Sequence, residues 1–189
     1  MGFLNDVVET NSYIGKFKKI KVLGKTEDIE KYLSQDDVYF FMAYVGMQNE
    51  KDVYNKMLSL NIPSERFATL IHPTAIIPKG FCSIGNGVLM APLSQLSPDT
   101  TVSDNCILLA NSFLGHDSFM DRFAHLATNS VVGANVHVGK AAHIGSNATV
   151  REKVKIGDYS LVGSASNVLN DIPENSIVVG NPAKVLREK

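Results

Sequence analysis

The dominant pattern in this sequence is an aliphatic residue at every sixth position through its second half. The series runs from Ile84 to Val168 with fifteen hits in fifteen positions. At an apolar content of 44%, such a run arises by chance on the order of a few times in a million. A period of six matches neither an amphipathic helix nor an alternating strand. It is the signature of a β-helix built from hexapeptides.

Two further slots of the hexapeptide are restricted in size. The residue four positions after each aliphatic is small or β-branched throughout, from Val88 to Ile172. The residue directly after the aliphatic is often glycine, as at Gly115, Gly145 and Gly163. We expect small residues where the chain bends and where successive coils approach at the strand spacing of about 4.8 Å.

Residues 1–71 lack this period and read as alternating strands and helices. Strands are predicted at residues 3–4, 20–23 and 38–44, the last unbroken and apolar as in a strand buried on both faces. One helix is predicted after a cap at Thr26, and a second with Val53, Met57 and Leu60 on its inner face. This order implies a small parallel α/β sheet. The chain is therefore divided into residues 1–71 and a repeat domain of residues 72–189.

Charge, targeting patterns and cysteine positions argue against several classes of function. The formal net charge is −1, and the basic groups at residues 16–21 and 151–155 are interrupted by apolar or acidic residues. We interpret both groups as solvated faces, which argues against a nucleic-acid partner. No signal peptide or myristoylation pattern is present, so the expected location is the cytoplasm, without a membrane partner. Cys82 and Cys106 fall on the small slot and are predicted to be buried structural thiols.

Five segments, taken in order, resemble one family. They are Gly2-Phe3-Leu4-Asn5-Asp6, Val22-Leu23-Gly24-Lys25-Thr26-Glu27-Asp28, Phe67-Ala68-Thr69-Leu70-Ile71-His72-Pro73, Gly115-His116-Asp117 and Val178-Val179-Gly180-Asn181-Pro182-Ala183-Lys184. Together they resemble the bacterial sialic-acid O-acetyltransferase-type sugar acyltransferases, which include N-acetyltransferases of 4-amino sugar nucleotides. The resemblance covers residues 2–187 and lacks only the first strand and Gly-rich turn of the family.

The resemblance implies a fold and an activity. The fold is a small α/β, truncated Rossmann-like N-terminal domain that binds the acceptor, followed by a left-handed parallel β-helix with three hexapeptides per coil. Residues 84–173 would then make five coils, with equivalent positions of successive coils stacked. The family forms homotrimers and binds acetyl-CoA in a groove between subunits. The implied reaction is acetylation of the amine of a nucleotide-linked amino sugar for a bacterial surface glycan, and O-acetylation is the alternative.

The resemblance also implies the catalytic pair. His116 matches the family's general base, which removes a proton from the acceptor as it attacks the thioester. Asp117 matches the acidic residue that supports this base. Adjacent residues on a strand face opposite ways, so Asp117 can reach His116 only across a turn.

Binding residues follow from the same matches. Cofactor contacts are implied at His125, Gly145, Ser146, Gly163 and Ser164, next to a column in which Ala127, Gly145 and Gly163 stack without large side chains. Acceptor contacts are implied at Asn5, Asp6 and Gly46. Leu109 stands where relatives often carry an Asn near the acceptor, and the closest polar residue is Asn111.

Two readings of other classes remain open. His125 and His143, stacked across a subunit interface, could form with His116 or His137 a three-histidine zinc site of the β-helical carbonic anhydrase type. The substituted Leu109 also permits a β-helix that binds a sugar nucleotide without catalysis. Zinc analysis and thioester turnover separate these readings from the acetyltransferase.

Overall fold

The N-terminal part of the computed structural model is a small mixed sheet with short helices. The structure describes residues 1–43 and 49–189. Strand β1 (Phe3–Leu4) pairs parallel with β3 (Ile20–Gly24), and β2 (Tyr13–Ile14) pairs antiparallel with the other edge of β3. The helical segments are a 3-10 turn at Thr26–Ile29, helix α1 (Glu30–Leu33), helix α2 (Glu50–Ser59) and a 3-10 turn at Ser64–Arg66.

This sheet differs from the wholly parallel sheet predicted from the sequence. Gly15 has a φ of +112° and lets β2 turn directly back into β3 as a hairpin. The first helical turn also differs from its prediction, because its N-cap is Lys25 rather than Thr26. The hydroxyl of Thr26 instead bonds the carboxylate of Asp6.

The strand predicted at residues 38–44 is wrong over its described part, 38–43. These residues contribute a single bridge, between Phe40 and Phe67. The Arg66 guanidinium donates hydrogen bonds to nearby carbonyls, to Val38 O at 3.0 Å and to Leu33 O at 2.9 Å. A side chain therefore satisfies backbone acceptors that a neighbouring strand would have used.

From residue 70 onward the chain winds into a parallel β-helix with three faces. Strands of successive coils lie above one another in register, as where Phe113 pairs with Val131 and Val131 with Thr149. The strands are β4 (Leu70–Ile71), β5 (Cys82–Ile84), β6 (Leu89–Met90), β7 (Gln95–Leu96), β8 (Thr100–Val102), β9 (Ile107–Leu108), β10 (Phe113–Leu114), β11 (Phe119–Met120), β12 (His125–Leu126), β13 (Val131–Val132), β14 (His137–Val138), β15 (His143–Ile144), β16 (Thr149–Val150), β17 (Lys155–Ile156), β18 (Leu161–Val162), β19 (Asn167–Val168), β20 (Ser176–Gly180) and β21 (Ala183–Glu188).

Each face is one parallel sheet. The first face contains β5, β8, β11, β14 and β17, and the third face contains β7, β10, β13, β16 and β19. The second face contains β4, β6, β9, β12, β15, β18 and β20, and β21 returns antiparallel along β20. We name the turns between them the first-to-second, second-to-third and third-to-first corners.

The predicted aliphatic ladder forms the core. From Met90 to Val168 every member of the series is buried, and Ile84 packs against it as a half-buried residue. Residues of the small slot are buried as well, and several serines there satisfy their hydroxyls locally, as where Ser130 Oγ donates to Ala127 O at 2.8 Å. The buried Ser112 hydroxyl has no partner among the described residues. Cys106 is buried as predicted, and burial raises the pKa of its thiol. Cys82 is half-buried.

At each corner the chain turns at one position of the hexapeptide, and the sequence analysis did not single out this position. Every sixth residue from Gly87 to Ala165 has a left-handed backbone, for example Asp117 with a φ of +57°. The glycines after the aliphatics serve another purpose. A Cβ on Gly115 would lie 2.5 Å from the carbonyl carbon of Gly133 in the next coil. These glycines therefore permit close stacking of coils rather than the turn itself.

The outward side of the second face is largely buried. His125 and His143, which alternate with core residues, are 7% and 5% exposed. Helix α2 lies at the adjoining first-to-second corner, where the Tyr54 ring meets Phe123 edge-on with centroids 5.2 Å apart. No helix within residues 1–43 and 49–189 has the length and apolar character needed to cross a membrane.

Candidate active site

The third-to-first corner presents a histidine and a carboxylate in direct contact. His116 and Asp117 lie in the turn between β10 and β11. His116 Nδ1 is 2.6 Å from Asp117 Oδ2, and both side chains are more than half exposed, at 59% and 53%. The left-handed backbone of Asp117 brings the two neighbouring side chains together. This confirms that the contact is made across a turn.

The next coil fixes the shape of this turn. His116 O accepts a hydrogen bond from Asn135 N at 2.8 Å. Ser118 Oγ donates to Gly133 O at 3.1 Å and accepts from Val136 N at 3.0 Å. Because Ser118 is buried, these bonds hold the turn against the body of the β-helix.

The contact determines how the imidazole can act. A proton on Nδ1 is held by the carboxylate, which leaves Nε2 as an acceptor directed away from Asp117. A histidine in this tautomer can take a proton from an attacking nucleophile. The exposure of the pair leaves room for a substrate.

The predicted cofactor residues meet at the second-to-third corner, with one exception. Gly145, Ser146, Gly163 and Ser164 lie in successive coils, and Ala165 N donates to Ser146 O at 2.9 Å. A Cβ on Gly145 would lie 2.6 Å from Val162 O, so coil stacking alone requires glycine there. Ser164 is exposed and Ser146 is half-buried.

An asparagine ladder on the same corner escaped the sequence analysis, which singled out only Asn111. Asn111 Nδ2 donates to Asn129 Oδ1, and Asn129 Nδ2 donates to Asn147 Oδ1, each at 2.6 Å. All three residues have left-handed backbones, which asparagine tolerates better than most residues. Their recurrence at the same position of three successive coils was the available signal. Leu109 lies in the neighbouring column, between Ala91 and Ala127 of the adjacent coils, and is half-buried.

His125 is the exception among the predicted cofactor residues, because it is buried on the second face. Its ring packs edge-on against His143 with centroids 4.4 Å apart. Neither ring nitrogen of His125 has a hydrogen-bond partner among the described residues. Burial, and then the neighbouring His143, lower the pKa of His125 to about 3. Both imidazoles are therefore neutral near pH 7, since burial and then Lys189 lower the pKa of His143 to about 4.

Among the described residues of one chain, the three histidines that a zinc site would need do not come together. His116 lies on the third-to-first corner and His137 on the first face, where its ring packs against Phe119. Across residues 1–43 and 49–189, no three His, Cys, Asp or Glu side chains are grouped to hold a metal ion.

The predicted acceptor residues lie beside a cleft in the N-terminal part. Asn5 Oδ1 accepts hydrogen bonds from Val7 N and Val8 N and so shapes the loop after β1. Asp6 bonds Lys56 and the backbone and hydroxyl of Thr26, and these contacts lower its pKa to about 2. The cleft holds about 400 Å³ and is lined by Asp6, Lys25, Thr26, Glu27, Lys56, Ser59 and Leu60. The third predicted acceptor residue, Gly46, lies outside the described residues.

Solved structures that resemble this one include sugar acetyltransferases and an acyltransferase crystallised with coenzyme A or acetyl coenzyme A. The acetyltransferase domain of PglB from Neisseria gonorrhoeae is 25% identical, with a TM-score of 0.80 over 98% of this chain and 86% of that one. It has also been crystallised with acetyl coenzyme A. No sequence profile of a known family and no curated protein matches this chain.

Two further neighbours are N-acyltransferases with amino-sugar nucleotides bound. Perosamine N-acetyltransferase from Caulobacter crescentus, in complex with CoA and GDP-perosamine, is 22% identical, with a TM-score of 0.78 over 89% of this chain and 79% of that chain. AntD from Bacillus cereus, with dTDP-4-amino-4,6-dideoxyglucose and coenzyme A, is 23% identical, with a TM-score of 0.61 over 64% and 80%. The shared fold is therefore that of sugar N-acetyltransferases built from hexapeptide repeats.

Proposed function

We propose that this protein is an acetyl-CoA-dependent N-acetyltransferase that modifies the amine of a nucleotide-linked amino sugar. The observation that carries the proposal is the His116–Asp117 contact, displayed at an open corner of this fold. Neighbours with the same fold bind coenzyme A together with amino sugars linked to GDP or dTDP. His116 supplies the base that such a transfer needs, in the tautomer whose Nε2 can accept a proton.

The reaction is written with His116 as general base. Nε2 removes a proton from the acceptor amine while the amine nitrogen attacks the thioester carbonyl of acetyl-CoA. The tetrahedral intermediate collapses by breaking the carbon–sulfur bond, and the thiolate of CoA takes the proton from the imidazolium. Asp117 stabilises the charged imidazole and keeps Nδ1 protonated. The products are the amide and free CoA.

The binding of acetyl-CoA is assigned to the second-to-third corner. Gly145 and Gly163 leave a column without side chains, and the exposed Ser164 borders it. Backbone groups along such a column can bond a pantetheine arm. His125 would contact the cofactor only after a rearrangement that exposes its buried ring.

The acceptor is assigned to the N-terminal part, at the cleft beside Asp6. Lys25 lines this cleft with an ammonium group that can meet nucleotide phosphate. The likeness to the Neisseria domain extends over 98% of the chain and so includes this part. The proposal assigns residues 1–71 to a reduced Rossmann-like acceptor domain and residues 72–189 to the catalytic domain. The same proposal includes a left-handed winding, a homotrimer with the cofactor groove between subunits, and a cytoplasmic location.

The test measures thiol release from acetyl-CoA with matched acceptors. GDP- and dTDP-linked 4-amino sugars are compared with the same nucleotides carrying a 4-hydroxyl. We expect turnover with at least one amino sugar and little with its hydroxy counterpart. Faster turnover of the hydroxy sugar would identify an O-acetyltransferase, and binding without thiol release would support a non-catalytic protein.

A further inference from the structure

The β2–β3 hairpin ends in an exposed tip that combines an aromatic ring with lysines. Phe17 is 95% exposed at the apex. Lys16, Lys18 and Lys19 surround it, all exposed. The Lys16 Nζ atom lies 5.5 Å from the centre of the Phe17 ring. We call residues 15–19 the hairpin tip.

The backbone holds this tip in a defined shape. Tyr13 pairs with Lys21 and Ile14 with Ile20, so the strands continue to the edge of the turn. Gly15 has a φ of +112°, and a Cβ there would collide with Lys18 O. Phe17 therefore projects from the middle of a five-residue connection, residues 15–19, whose two ends are fixed by the strand pairing.

The charged residues next to the tip in the sequence are all lysines. Residues 10–26 contain five lysines and no Asp or Glu. Lys16, Lys18 and Lys19 form no ion pair with any residue in the described part of the chain. Unpaired lysines on a folded hairpin remain free to meet an anionic surface.

We propose that the hairpin tip binds the anionic surface of a lipid bilayer, with Phe17 entering the interface and the lysines meeting lipid headgroups. A fully exposed aromatic ring gains free energy by leaving water, and an interface accepts the ring beside charged side chains. Lysines near anionic lipids strengthen the attachment, and long lysine stems keep their ammonium groups at headgroup level. The lysines of residues 16–21 are exposed, as the sequence-based interpretation of a solvated face expects, and the proposal gives that face an anionic partner. This proposal does not depend on the enzymatic one.

A lipid surface fits the tip better than a nucleic acid does. Nucleic-acid surfaces combine an extended basic stripe with stacking aromatics. Here the ring stands alone at an apex, and the net charge of the whole chain is −1. One protruding aromatic side chain surrounded by a few lysines matches a shallow insertion into a bilayer interface.

The first experiment uses sedimentation with vesicles of phosphatidylcholine containing about 30% phosphatidylglycerol, at about 50 mM and 300 mM salt. We expect the wild-type chain to sediment with these vesicles, more strongly at low salt, and not with pure phosphatidylcholine. Phe17→Ser should weaken binding about tenfold. The triple variant Lys16→Gln, Lys18→Gln and Lys19→Gln should weaken it about a hundredfold. Matched controls are Phe81→Ser, at another exposed phenylalanine, and the triple variant Lys79→Gln, Lys155→Gln and Lys184→Gln.

The second experiment reports on the position of the ring. Because the chain has no tryptophan, Phe17→Trp introduces a single indole fluorophore at the apex. Its emission should shift to the blue on addition of anionic vesicles and be quenched by brominated lipid. Three results would each overturn the proposal: no binding to anionic vesicles, equal loss of binding in the control triple variant, or an unshifted emission of the Phe17→Trp variant with vesicles. Tighter binding to duplex DNA or RNA than to vesicles would also overturn it and reassign the tip.

Discussion

The Nδ1 atom of His116 lies 2.6 Å from the carboxylate of its own neighbour, Asp117. Adjacent side chains meet here because the backbone of Asp117 is left-handed, with a φ of +57°. The same conformation recurs at the equivalent position of the preceding coil, at Asp99, where φ is +60°. The turn is thus common to the whole β-helix, and the histidine before it makes this copy chemically distinct.

Asp117→Asn should lower kcat by about tenfold, less than loss of the base itself, and should change the pH profile of kcat. An amide still tolerates the left-handed backbone but no longer stabilises an imidazolium. The matched control is Asp99→Asn, one coil away in the same backbone conformation. Equal losses in the two variants would mean that Asp117 acts through the turn rather than through His116.

Ser164→Leu should raise the apparent KM for acetyl-CoA by about tenfold or more, with little change in melting temperature, because this exposed side chain borders the proposed cofactor column. Gly145→Ala should instead lower stability, since its Cβ would lie 2.6 Å from Val162 O. Ser83→Leu, on the exposed side of the first face, is the control. An unchanged KM in a folded Ser164→Leu protein would place the cofactor on another face.

Stability should fall as the pH drops from about 6.5 towards about 4. His125 and His143 are buried and neutral, with pKa values lowered to about 3 and about 4. In the unfolded chain both recover an ordinary pKa near 6.5, so the unfolded state binds more protons over this interval. Each histidine contributes a slope of up to about 1.4 kcal/mol per pH unit. Urea unfolding between pH 7.5 and pH 4.5 measures this slope of the unfolding free energy against pH.

The control for the pH dependence is a histidine that is exposed. His143→Leu should reduce the slope, whereas His137→Gln should leave it unchanged. A slope that is the same in all three proteins would show that other groups cause the acid sensitivity.

Lys189→Met should destabilise the fold by about 3 kcal/mol. Lys189 Nζ lies 2.6 Å from Glu50 Oε2, at ion-pair distance but outside hydrogen-bond geometry, and the two side chains are 12% and 4% exposed. Removing the lysine leaves a buried carboxylate alone, so the double variant Glu50→Leu and Lys189→Met should recover most of the loss. Thermal and urea unfolding of the single and double variants give the comparison. A fully additive result would contradict direct pairing.

The β-helix could be predicted from the sequence because its signal is repeated in every coil. Each of the six positions stacks on the equivalent position of the next coil. The same requirement for size or polarity therefore recurs in every coil and becomes visible as a period in the sequence. The left-handed slot was missed because its residues vary widely, including Leu93, Phe123 and Tyr159. The fold imposes the conformation there, and residue preference only follows it where asparagine is present.

The structure of the N-terminal part and the burial of His125 depend on contacts between residues that are distant in the sequence. For this reason they could not be predicted from local patterns. The carbonyls near residue 38 are taken by Arg66, a side chain 28 positions away. The burial of His125 arises on a face whose edge meets helix α2 and Lys189, which no local pattern reveals. His116 was predictable because its neighbours in the sequence, Gly115 and Asp117, are also its neighbours in the turn.

The role of His116 as general base is tested by the rate of CoA thiol release with an amino-sugar nucleotide in wild type, His116→Ala and His137→Ala. His137 is the matched control, since it is also exposed and lies one coil further along the neighbouring face. We expect His116→Ala to lose about 10²- to 10⁴-fold in kcat with unchanged melting temperature, while His137→Ala retains near-normal turnover. Near-normal turnover by His116→Ala would remove His116 from the mechanism.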